Sequence, residues 1–72
     1  MSDNVNNPEH YTYGNIKCID LIEQVTEGME GKQAFCIGNA LKYIFRHTHK
    51  NGTEDIEKAI WYLNEYLGKH NE

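Results

Sequence analysis

Three observations predict that this chain folds as an all-α domain of three helices. Apolar residues recur every three or four positions in three separate runs. Gly28 and Gly31 divide the first run from the second, and Asn51-Gly52 divides the second from the third. The residues flanking Asn51-Gly52 keep helical spacing, where a hairpin would need alternation.

Residues 1–7, Met-Ser-Asp-Asn-Val-Asn-Asn, are polar and are expected to form a disordered arm. Pro8 to Gly14 holds the single proline with His10, Tyr11 and Tyr13, whose rings are expected to pack back on the body or on a ligand. The first helix is expected from about Asn15 or Ile16 to Glu27. Cys18, Ile19, Leu21, Ile22 and Val25 make its apolar side; Asp20, Glu23 and Glu27 share the wet side. The second helix is expected from about Lys32 to His47 or His49, with Ala34, Ile37, Leu41, Ile44 and Phe45 as its dry face. Thr53 is a good N-cap for a third helix, and Glu54 and Asp55 suit its first turn. That helix extends to about Leu67, with Ile56, Ala59, Ile60, Leu63 and Leu67 as its expected core stripe and Gly68 as its C′ residue. Residues 69–72 are a polar tail, which leaves 8–68 as a single helical domain behind an extended N-terminal arm. Short connections favour antiparallel neighbours.

A chain of 72 residues buries roughly 60% of its unfolded surface, so its core is marginal alone. Cys18 and Cys36 sit among apolar residues without zinc or CxxC spacing. They are expected to be buried free thiols in a reducing compartment, so disulfides do not support the fold. A homo-oligomer is the expected support. The formal charge of −4 argues against nucleic-acid backbones as partners. No apolar run approaches the ~20 residues of a membrane span, and no secretory signal is recognisable.

The second helix carries the chemistry. At about 100° per residue, Asn39, Lys42, Tyr43, Arg46 and Lys50 fall in one stripe about 100° wide. No acid occurs from Gly31 to Thr53, although acids outnumber bases in the chain. Arg forks onto two phosphate oxygens, Lys adds a mobile charge, and Tyr and Asn orient hydrogen bonds. The plain alternative is a solvated helix face, but such faces usually mix charge signs. On the third helix, Asp55 and Lys58 form a surface ion pair, or Asp55 buttresses Arg46 or receives a ribose hydroxyl. Trp61 and Tyr62 are adjacent, so one of them must lie at an edge, an interface or a ligand. His47 and His49 point to different sides of a helix and chelate poorly. There is no glycine-rich phosphate loop, and the one serine lies in the arm at Ser2. No metal, cofactor or catalytic residue is expected.

The chain also carries Gly38-Asn39, Lys42-Tyr43, Arg46, Lys50 with Gly52, Asp55, Lys58-Ala59 and Trp61-Tyr62-Leu63, after His10-Tyr11 and Gly14. Over about residues 7–67 this spacing resembles a small family of phages and prophages, largely of unknown function. Its members are often labelled nucleotide kinase, by similarity to the much longer nucleotide kinase of T7-like phages. The resemblance implies a nucleotide-related role in the cytoplasm of an infected bacterium. The expected function is a nucleotide-binding protein that sequesters a nucleotide-derived signal of host antiviral defence, cyclic or of ADP-ribose type, without turning it over. Its expected ligand residues are Tyr11, Asn39, Lys42, Tyr43, Arg46, Lys50, Asp55, Lys58 and Tyr62. The alternatives are a nucleoside monophosphate kinase with a site assembled between subunits, and a small inhibitor of a host protein.

Overall fold

The computed structural model describes residues 12–49 and 51–69. They form three helices preceded by a minimal hairpin. Strand β1 (Thr12–Tyr13) pairs antiparallel with β2 (Ile16–Lys17), in the register Thr12 to Lys17 and Tyr13 to Ile16. Gly14 turns the chain with φ +57°, a conformation that suits the first position of a two-residue hairpin loop. This corrects the expected start of the first helix. Ile16 and Lys17 are extended, and helix α1 begins only at Cys18, running Cys18–Thr26.

Helix α2 (Gly31–Arg46) and helix α3 (Thr53–Leu67) follow. Thr53 is the first helical residue and Gly52 takes the capping position, with φ +55°. The expected threonine cap is not made, and no side chain caps the helix; Asp55 Oδ2 accepts the Asn51 backbone N–H in the preceding loop at 3.1 Å. At the far end Gly68 is the left-handed residue expected there, at φ +71°. Its N–H donates to the Glu65 carbonyl, and the Lys69 N–H donates to the Asn64 carbonyl. These are the paired bonds of a Schellman end.

Helix α2 is the centre of the domain. It packs against α1 on one side and α3 on the other, while α1 and α3 scarcely meet. Gly38 opens the α1 side: a Cβ there would lie 3.2 Å from Ile22 Cγ2. Cys36 and Ala40 of α2 and Ala59 of α3 are buried. Lys32 near the start of α2 pairs with Glu65 near the end of α3 at 3.4 Å, as antiparallel helices require.

The core is therefore small, and the expected core stripe of α3 is corrected. Ala59 is buried, but Ile60, Leu63 and Leu67 are 51%, 39% and 59% exposed. Ile44 of α2 and Ile19 and Val25 of α1 are exposed as well. The apolar periodicity is real; it records a stripe without recording what covers it. Helix α3 turns Asp55, Ala59 and Tyr62 toward α2, about a quarter turn from its Ile/Leu stripe.

Candidate functional site

Tyr43 projects from α2 into the seam with α3. Its ring stacks on Tyr62, with centroids 5.9 Å apart and planes 18° apart. Tyr62 in turn meets the edges of two more rings, Phe35 at 5.7 Å and Trp61 at 5.1 Å. Four aromatic side chains thus form one continuous cluster. Such geometries exceed plain area burial by ~0.5–1.5 kcal/mol per pair.

Three cations gather on the same tyrosine. Lys42 Nζ lies 4.6 Å from the Tyr43 centroid, Arg46 Cζ 5.0 Å and Lys58 Nζ 5.4 Å. Each is within cation–π range of ~6 Å. Two of these residues come from α2 and the third from α3, so the fold assembles the cluster across the seam. Beside it opens a cleft of about 330 Å³ lined by Tyr43, Lys58, Trp61 and Tyr62. A second cleft, of about 310 Å³, lies between the hairpin and α1 and is lined by Asn15, Ile16, Lys17, Asp20, Leu21 and Gln24. Among the described residues that line it there is no aromatic ring, and Lys17 is the one cation.

A buried acid seats one of these cations, Arg46. Asp55 has no exposed surface, and its Oδ1 accepts from Arg46 Nε at 3.1 Å. Burial alone would raise the Asp55 pKa. The Asn51 N–H, the Arg46 hydrogen bond and the charges of Arg46 and Lys58 outweigh it and hold the carboxyl below its ordinary value. The acid is therefore ionised at neutral pH and fixes Arg46, whose side chain is 18% exposed.

The expected ligand residues divide accordingly. Lys42, Tyr43, Arg46, Lys58 and Tyr62 are brought together. Asp55 lies beneath the cluster as the buttress of Arg46, which of its expected roles is the one the geometry allows; a wholly buried carboxylate cannot reach a ribose. Lys58 pairs with Glu54 at 3.5 Å, where Asp55 was its expected partner. Asn39 donates its side-chain amide to the Phe35 carbonyl at 2.9 Å, within its own helix. Tyr11 and Lys50 lie outside the described residues, as do His10 and the arm.

Trp61, expected at an edge, an interface or a ligand, lines the cleft and is 52% exposed. One residue enters the site without having been expected there: Phe35 joins the ring cluster. Its signal was present in the spacing, since Phe35, Asn39, Lys42 and Arg46 follow at four, three and four residues along one face of α2.

Both cysteines are free and buried. Burial pushes the Cys18 thiol up, against the opposing effect of the Lys42 charge. Among the described residues no three His, Cys, Asp or Glu side chains converge as metal ligands do. No helix among them is long and apolar enough to cross a membrane.

A family model described as a protein of unknown function, DUF3310, matches residues 5–64, and the chain belongs to that family. No curated protein and no solved structure matches the chain.

Proposed function

We propose that this member of DUF3310 binds a nucleotide or nucleotide-derived phosphate on the α2/α3 seam and sequesters it without chemical change. The observation that carries the proposal is the gathering of Lys42, Arg46 and Lys58 around Tyr43, at the side of an aromatic cleft, in a chain of net charge −4. Cations concentrated against the sign of the whole chain make a local anion site. Lys42 and Lys58 supply mobile ammonium groups for phosphate oxygens, and Arg46 supplies a seated fork. Tyr43 and Tyr62 already stack on one another, so the half-exposed Trp61 is the natural platform for a base. The volume falls at the low end of small-molecule sites, ~300–1,000 Å³, which suits one base with its phosphate.

The resemblance to the phage family labelled nucleotide kinase supports a phage setting. There the ligand is a signalling nucleotide of host defence, cyclic or of ADP-ribose type, and the protein acts in the cytoplasm of the infected cell. Phosphoryl transfer would demand two nucleotides in line and a metal to neutralise the moving group. The cleft as built offers rings and cations for a single anion.

The test is incubation of the pure protein with mono-, di-, tri- and cyclic nucleotides and ADP-ribose derivatives, with and without magnesium and ATP. Recovery of unchanged ligand from the denatured complex, at about one per chain, is the expected result. Turnover far above stoichiometry would replace sequestration by a kinase. No thermal shift with any member of the panel would overturn nucleotide binding and leave an inhibitor of a host protein.

A further inference from the structure

The face opposite the cation cluster has its own logic. Helices α2 and α3 run antiparallel, as the pairs Lys32–Glu65 and Arg46–Asp55 fix. Lys42, Arg46, Lys58 and Trp61 occupy one flank of their contact. At about 100° per residue, the other flank carries Ile37 and Ile44 on α2 and Ile56, Ile60, Leu63 and Leu67 on α3, while Ala40 is buried. On α3 these residues follow at four, three and four positions; on α2, Ile37 and Ile44 lie seven residues apart beside them. That is the heptad seam by which one helix reads another. Neither seam contains an acid or a base. Ile44, Ile60, Leu63 and Leu67 are nonetheless 41%, 51%, 39% and 59% exposed.

We infer that this face is a homodimer interface, in which the α2/α3 pair of one copy packs on that of a second as a four-helix arrangement. Three features select a second copy as the occupant. The heptad spacing of α3 calls for a helical partner with the same spacing, which α3 of a second copy supplies, with Ile37 and Ile44 of α2 beside it. Two molecules of charge −4 repel, and a charge-free face is where they approach at least cost. The size also fits. Two helices of 16 and 15 residues rise about 23 Å, and side by side they span about 20 Å. With side-chain relief the face offers roughly 600 Å² per copy, the lower end of stable interfaces. Packing there leaves both cation clusters outward, so each chain keeps a complete site. The inference does not depend on what that site binds.

The experiment is light-scattering mass on the full chain, with unfolding followed at several protein concentrations. Wild type is expected at twice 8.4 kDa, with a melting temperature that rises with concentration. Ile60→Glu is expected at 8.4 kDa if it folds. If it is unfolded, Leu67→Lys, at the more exposed end of the same stripe, is expected to fold and to run at 8.4 kDa, and a folded Leu67→Lys that remains dimeric would overturn the inference. Glu57→Lys, a charge change on an exposed residue of the same helix, is expected to leave the mass unchanged. A wild-type monomer with concentration-independent melting would overturn the inference, as would a folded Ile60→Glu that remains dimeric.

Discussion

Asp55 joins two jobs in one carboxylate: it ties the loop before α3 through Asn51 and seats Arg46 under the cation cluster. Its pKa is lowered in the fold. Its stabilising contribution is therefore complete above the unfolded carboxyl value of ~3.9 and lost as pH falls through the folded value. Asp55→Asn should lower the urea midpoint by a constant amount between about pH 8 and pH 5, and the gap to wild type should close below about pH 4. A gap that persists undiminished at the lowest pH would place the effect in packing. The same pair changes what Arg46 can report. Removing a seated guanidinium strands a buried acid, so Arg46→Ala is expected to weaken both the fold and binding. Lys42→Ala and Lys58→Ala are the cleaner probes. Lys58 gives up an exposed pair with Glu54, of little worth to the fold, its place over Tyr43 and its charge near Asp55, and strands no buried partner as Arg46 does. Each should weaken nucleotide binding about tenfold, the loss of one charge-assisted contact, with little change in melting temperature. Titration calorimetry on the two variants checks this.

At the scale of elements, the close approach of α1 to α2 rests on a missing side chain. Gly38→Leu should destabilise the domain by ~1–3 kcal/mol, because the added atoms meet Ile22. Denaturant unfolding measures it, and an unchanged midpoint would mean that α1 shifts freely. The helices themselves were legible in the sequence to within two or three residues, since each repeats its apolar spacing over at least two turns. The hairpin was not legible: strands of two residues have no period to read. Nor was the rotation of α3 about its axis. Ile60, Leu63 and Leu67 outweigh Ala59 in any hydrophobic tally, yet α3 meets α2 through Ala59, Asp55 and Tyr62. The cation stripe of α2 was legible because it is local to one helix. Its completion by Lys58 and Trp61 needed the spacing resemblance, and Phe35 lies on the same line without a charge to mark it as part of the stripe.

For the whole molecule, the three helices lie side by side with α2 between the others, and the buried set is four small apolar residues and one acid among the described residues. Two faces of the α2/α3 pair therefore obey different solvent rules. Raising ionic strength from about 50 to about 500 mM screens the cation cluster and should weaken nucleotide binding several-fold. The apolar face answers to the hydrophobic effect, so the dimer should persist or tighten with sulfate. Following affinity and mass across one salt series separates the two; parallel loss of both would mean that one surface serves both purposes.

The single tryptophan of the chain stands where the cleft opens, edge-on to Tyr62 and beside Lys58. That position makes the molecule its own optical sensor. Excitation at the red edge of protein absorption addresses one indole per chain, with no label and no competing tryptophan. A base settling on that ring should quench its emission, while a ligand held by phosphate alone should leave the intensity and only shift the maximum. The colour of one side chain would thus tell which end of the ligand the protein grips.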